Sequence, residues 1–219
     1  MNKGLPKQVR ADWLALLTQH RAIAIIRASC LAQGISMARA AAAGGFRLIE
    51  VTWQNNTQPQ QMAQAIQQAL PECTVGAGSV LTQADLREAI ASRAQFCFTP
   101  HTDPQLIERA TAQSMPIVAG AMTPTEIVTA WRTGATSVKV FPISALGNAA
   151  YIAALQGPLG PIPLVPTGGV TSESAPKLIE AGAIAVGLST ALFPKAEVQR
   201  GDWSAIEARS RYLLALLQA

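Results

Sequence analysis

Along this chain, apolar residues gather into short β-prone runs that recur at intervals of roughly 20–30 residues, leaving room for one helix between each pair. Eight runs can be marked: Ile23 to Arg27, Arg47 to Thr52, Thr74 to Ala77, Gln95 to Thr99, Pro116 to Ala119, Ser137 to Phe141, Pro163 to Pro166 and Ile184 to Gly187. Most are continuously apolar, as strands buried on both faces of a parallel sheet are. The intervening segments carry helical spacing. Leu31, Ile35 and Ala42 fall on one face, as do Met62, Ile66 and Leu70, and Leu178 follows Ala175 at i+3. Asp103-Pro104 and Thr123-Pro124-Thr125-Glu126 read as helix starts, where a cap side chain and a glutamate three residues on satisfy free backbone N–H groups. A segment from Lys7 to Gln19, with Trp13, Leu14, Leu16 and Leu17, predicts an extra helix under the sheet, and Asp202 to Gln218 a closing helix.

Eight strand and helix units predict an α/β chain folded as a (β/α)₈ TIM barrel, one domain over residues 1–219 with an N-terminal helical cap over residues 1–20. A doubly wound open sheet is the competing architecture. Its fingerprint is missing: Arg27-Ala28-Ser29-Cys30 has no glycine, and Gly76-Ala77-Gly78 runs on to Ser79-Val80-Leu81 without a third.

Composition narrows the class. With 49% hydrophobic and 14% charged residues over 219 positions, the chain is globular, and such low charge suggests elements buried on both faces or surface given up to subunit contacts. The net charge of +4 is spread along the chain, giving nucleic-acid binding no support while suiting an anionic small substrate. Cys30, Cys73 and Cys97 have neither disulfide-framework nor zinc-site spacing. With no apolar run near the roughly 18 residues that cross a bilayer, and no secretory-signal pattern, the expectation is a cytoplasmic protein with no membrane association.

A barrel places chemistry at the C-terminal strand ends. Lys139 alternates with Ser137 and Phe141, so it faces the interior, where desolvation discharges an ammonium and yields a nucleophilic amine. An inward lysine held in a salt bridge fits the same pattern. Glu50 shares its face with Leu48 and Thr52. It suits proton relay beside an imine-forming lysine, or an ion pair with Lys139 or Arg27. Arg27, in step with Ile23 and Ile25, stands at the first strand's end, where a guanidinium can grip a carboxylate through two hydrogen bonds or simply meet water. Late in the chain, Pro166-Thr167-Gly168-Gly169-Val170 and Gly187-Leu188-Ser189 precede expected helical turns after strands seven and eight, the usual place for a phosphate. His20 and His101 are isolated, and neither a metal nor a cofactor is indicated.

Five motifs occur in order from about Ile23 to Phe193: Gly45-Phe46-Arg47-Leu48-Ile49-Glu50-Val51-Thr52, Val75-Gly76-Ala77-Gly78-Ser79-Val80-Leu81, Phe98-Thr99-Pro100, Val138-Lys139-Val140-Phe141-Pro142 and Pro166-Thr167-Gly168-Gly169-Val170. Together they resemble the KDPG/KHG aldolase family. That resemblance implies a class I, metal-free aldolase, usually a homotrimer, that cleaves the phosphorylated sugar acid 2-keto-3-deoxy-6-phosphogluconate to pyruvate and glyceraldehyde 3-phosphate. It implies Lys139 as the Schiff-base lysine and Glu50 as the general acid/base. Ser79, where the family usually has threonine, and Pro100 would hold the pyruvate end. Thr167, Gly168, Gly169 and Ser189, with Gly187 beside them, would hold the phosphate. Gln54 departs from the pattern, because the family usually carries there a carboxylate-binding arginine. Arg27 resembles an arginine that some members carry on the first strand, and is the expected substitute.

Overall fold

In the computed structural model, which describes residues 5–54 and 56–218, a strand coincides with or overlaps each of the eight apolar runs. The strands are β1 (Ala22–Ile26), β2 (Leu48–Thr52), β3 (Thr74–Gly78), β4 (Cys97–Phe98), β5 (Ile117–Ala121), β6 (Ser137–Val140), β7 (Leu164–Pro166) and β8 (Val186–Leu188). All pair in parallel in chain order, and β1 pairs with β8. The ring closes between β7 and β8 through a bridge from Thr167 to Gly187 and the Ile184 N–H donating to the Leu164 carbonyl, 3.0 Å. Between strands run α2 (Leu31–Ala43), α3 (Pro59–Ala69), α4 (Gln83–Ala91), α5 (Pro104–Ala112), α6 (Pro124–Thr133), α7 (Ala149–Leu159) and α8 (Ser174–Glu180). After β8 come a short α9 (Lys195–Arg200) and the closing α10 (Trp203–Gln218). This is the (β/α)₈ barrel that the spacing predicts.

Local chemistry starts the helices where the sequence places them. Asp103 accepts from the Gln105 and Leu106 N–H groups, and Thr123 and Glu126 form a reciprocal capping box ahead of α6. Thr82 and Asp85 form a second capping box on α4. In α2 the expected face is met in part. Ala42 is buried, together with Gly34, Met37, Ala38 and Ala41, while Leu31 and Ile35 pack against the core only half covered. Small side chains let the helix axis approach the neighbouring helices closely, and an added Cβ at Gly34 would strike Met62. Packing distance, not side-chain size, therefore selects this face. The strand over Gln95 to Thr99 keeps regular geometry only at Cys97–Phe98, because the Gln95 side chain accepts from the Val75 N–H and the Thr99 hydroxyl turns to the His101 carbonyl. The run ending at Gly187 yields a strand shifted toward its C-terminus, Val186–Leu188.

The N-terminal helix α1 (Lys7–His20) plugs the bottom of the barrel. Trp13 and Leu17 are buried with Ile23, Leu48, Phe96, Phe98, Val118, Val165 and Ala185, the inward residues of the lower layers. The Trp13 indole N–H donates to the Ser137 hydroxyl, 3.2 Å. Trp13 packs on Phe96 at 4.8 Å between centroids, and Phe96 on Phe98 at 5.7 Å. Gly76 makes the ladder possible, since a Cβ there would enter the Phe96 ring. Arg10 fixes the plug from outside, donating to the Gly134 and Ala135 carbonyls and lying over the Trp131 ring. No helix among the described residues is long and apolar enough to cross a membrane, and Cys30, Cys73 and Cys97 are all free.

Candidate active site

The aromatic ladder ends under Lys139. Its ammonium nitrogen lies 5.7 Å from the Phe98 ring centroid and 4.8 Å from that of Phe141, at 3% residue exposure. Burial pushes the amine's pKa down; Glu50 opposes that shift, and Arg27 adds to it. β6 stands four strands from β2 in an eight-membered ring, so Glu50 approaches the axis from the opposite wall. Its residue exposure is 1%, its Oε2 is buried without a hydrogen-bond partner, and burial raises its pKa against the pull of Lys139 and Arg27. The two groups form no ion pair within 4 Å: among the described residues such pairs are Arg209–Glu197 and Arg211–Glu207. Opposed shifts of this kind bring the ionisations of the two groups toward each other, which suits proton exchange through one small molecule between them.

Glycine builds the space for Glu50. An added Cβ at Gly78, on the neighbouring strand, would collide with the Glu50 carboxyl. Ser79 follows directly in left-handed backbone, φ 56°, which turns the chain over the barrel mouth. On the far side, a Cβ at Gly120 would meet the Pro100–His101 backbone, so the segment after β4 lies across the end of β5. The Thr102 hydroxyl donates to the Gly120 carbonyl there, 2.7 Å. The sequence motifs contained these glycines, but their role as vacancies is visible only in three dimensions.

Arg27 sits just beyond β1, exposed, with its charge felt by both Glu50 and Lys139. It shares a cleft of about 210 Å³ with Gln54, Thr52 and Ser29. The exposed Gln54 side chain donates to Asp85 Oδ2, 3.3 Å, the oxygen that also accepts from the Leu81 and Thr82 N–H groups. No sequence pattern signals that tether, because Gln54 and Asp85 are 31 positions apart.

The late glycine segments occupy different depths. Thr167 and Gly187 are buried and face each other, a Cβ at Gly187 coming within 2.6 Å of Thr167 Oγ1. Gly168 (φ 88°) and Gly169 (φ 77°) turn above them, wedged against Phe141 and Ser144, with the Ser144 N–H donating to the Gly168 carbonyl at 3.1 Å. Ser189 lies at the rim of the barrel, and its carbonyl accepts from Leu192 and Phe193 in a tight turn. No helix starts there: α9 begins at Lys195, and α8 begins at Ser174. His101 is half-buried beside Pro100 with Nδ1 unpartnered, and His20 closes α1 at the opposite end. A cleft of about 460 Å³ under α1, lined by Asp12, Gln95 and Gln113 among others, also lies at that opposite end and contains no lysine or arginine.

A closed ring of parallel strands, with an amine and a carboxyl buried on its axis near the C-terminal ends, defines a (β/α)₈-barrel enzyme. Known proteins agree. The sequence profile of the family described as KDPG and KHG aldolase matches residues 14–209. A 2-dehydro-3-deoxy-phosphogluconate aldolase of Pseudomonas aeruginosa is 32% identical over 209 residues, 95% of this chain and 93% of that one. A 2-dehydro-3-deoxy-6-phosphogalactonate aldolase of Escherichia coli is 33% identical over 173 residues, 78% and 83% of the two chains. The fold matches that of the Legionella pneumophila KDPG aldolase, with a TM-score of 0.85 at 22% identity, covering 91% of this chain and 97% of that one. The chain belongs to the KDPG and KHG aldolase family, and it is a lyase.

Proposed function

We propose that the protein is a class I aldolase that cleaves 2-keto-3-deoxy-6-phosphogluconate to pyruvate and glyceraldehyde 3-phosphate, with Lys139 as its Schiff-base residue. The observation that carries this reading is the buried Lys139 amine, ringed by Phe98 and Phe141 and opposite Glu50 on the barrel axis, where burial lowers its pKa. The neutral amine attacks the C2 ketone and water leaves, forming a cationic imine that can accept an electron pair. Glu50, directly or through water, takes the C4 hydroxyl proton as the C3–C4 bond breaks and the aldehyde departs. The electron pair goes to the enamine, which is protonated at C3, and hydrolysis of the imine returns pyruvate and the free amine.

Arg27 takes the substrate carboxylate in the cleft it shares with Gln54, while Ser79 and Pro100 bound the pyruvate end. Thr167, Gly168, Gly169, Gly187 and Ser189 form the phosphate side. A neutral amide at position 54 forgoes a forked, charge-assisted contact worth about 1–2 kcal/mol. Gln54→Arg is therefore expected to improve kcat/KM by roughly tenfold if the carboxylate lies within reach. Pyruvate release, coupled to lactate dehydrogenase, checks this on the gluconate substrate, its galactonate epimer, 4-hydroxy-2-oxoglutarate and oxaloacetate. An unchanged rate leaves Arg27 as the sufficient carboxylate anchor. A second reading, cleavage of the galactonate epimer, draws on the 33% identity to the Escherichia coli enzyme, level with the 32% to the Pseudomonas aeruginosa gluconate enzyme. It wins if that substrate gives the highest kcat/KM.

A homotrimer is the proposed assembly. Leu81 and Met122, large, apolar and exposed, stand just past β3 and β5, and the low charge content leaves apolar surface to cover. Light scattering is expected to give three times the chain mass, and the mass of a single chain would refute it.

A further inference from the structure

Beside β1, on the flank away from Gln54, a cavity of about 380 Å³ opens between the start of α2 and α9. This is the size of a small-molecule site. Its floor is apolar, formed by Ile25, Met37 and Phe193, and its polar wall holds Ser29, Gln33, Ser189, Gln199, Arg27 and Lys195. Two cations and no carboxylate line it. The nearest acid on α9, Glu197, is bound to Arg209 and so does not neutralise Lys195. The turn closed by the Leu192 and Phe193 N–H groups on the Ser189 carbonyl, 3.0 and 2.8 Å, ties Lys195 to the serine of the phosphate side.

The substrate class assigned above carries two anionic ends, and the mouth offers a cation for each. Arg27 stands between the 210 Å³ cleft and this cavity; once it engages the carboxylate, Lys195 is the cation left to face the second anion. We propose that Lys195 is a specificity-determining residue: across Ser189, which the cavity shares with the phosphate side, its ammonium pairs with the phosphate and selects phosphorylated over unphosphorylated 2-oxo acids. Lys195 is exposed at the start of α9, so its flexible stem can carry the ammonium to an anion held at the cavity's edge. This assignment rests on the aldolase reading and extends it to a residue outside its motifs.

The test compares kinetics on 2-keto-3-deoxy-6-phosphogluconate and on unphosphorylated 4-hydroxy-2-oxoglutarate. Lys195→Met is expected to raise KM for the phosphorylated substrate about tenfold, and Lys195→Glu more steeply, with kcat little changed; Lys195→Arg restores KM. The ratio of kcat/KM between the two substrates should fall by the same factor. Equal losses on both substrates, or no loss on either, would overturn the proposal. Binding of inorganic phosphate, measured calorimetrically on the wild type and Lys195→Met, probes the same contact without turnover. About tenfold weaker binding in the variant supports the assignment, and equal affinity overturns it. Failure of pyruvate to be trapped on wild-type Lys139 would instead sink the aldolase reading, so the two failures are distinguishable.

Discussion

Lys139→Met is expected to lose aldol cleavage by three to six orders of magnitude, on the order of what removing a covalent nucleophile costs. Borohydride with pyruvate should leave a stable adduct on the wild type and none on the variant, read by intact mass and located by peptide mapping. An adduct that survives the substitution would place the chemistry elsewhere. The size of the effect follows from the site. Phe98 and Phe141 surround the amine and Glu50 faces it, so the reactive nitrogen and its proton partner are both held on the axis. The same burial sets the acid limb of activity. Because desolvation lowers the Lys139 pKa, the reactive amine persists below 10.5, and kcat/KM falls as pH drops through the depressed value. Stability moves in the same direction. Between the folded pKa and 10.5 the unfolded chain binds more protons, so this group's contribution rises with pH. Methionine, similar in length and uncharged, removes that slope and should raise the melting temperature at neutral pH, by the equivalent of about 0.5–2 kcal/mol.

Glu50→Gln is expected to lower kcat by about 10²–10⁴-fold, the usual contribution of a positioned acid/base group, while the folded barrel becomes more stable. Two observations set the sign of the stability change. The carboxyl is buried with Oε2 unpartnered, and its folded-state pKa is raised above 4.5. Between pH 4.5 and the raised folded value, the wild-type native state therefore holds a proton that the unfolded chain releases. Stability from this group is complete below pH 4.5 and is lost as pH rises through the folded value. Glutamine does not ionise, so the gap in melting temperature between variant and wild type should widen with rising pH across that window. A constant gap would mean that Glu50 is charged throughout and that its environment is more polar than the burial implies.

Legibility differed from element to element. The eight strands were readable because burial on both faces leaves a continuous apolar run, and the helix starts because their caps are local in sequence. The buried face of α2 was readable only in part. Periodicity ranks side chains by size, whereas close packing favoured Gly34, Ala38 and Ala41 over Leu31 and Ile35. Lys139 and Glu50 could be directed inward by alternation alone. Their motifs matched a family, but neither source said how far apart the two groups stand.

The sequence by itself determined the order and parallel pairing of the strands, the inward direction of Lys139 and Glu50, and the unusual amide at position 54, since each depends on residues near in the chain. Only the tertiary structure decided the rest. Closure of the ring opposes β2 to β6 and withdraws the amine and the carboxyl from water together. Gly78 yields its side-chain volume to Glu50, Trp13 seals the floor through Ser137, Asp85 holds Gln54, and Lys195 meets Arg27 and Ser189 around one cavity. Each of these links residues distant in sequence, and desolvation, which changes what the amine and the carboxyl can do, exists only once those residues are packed around them.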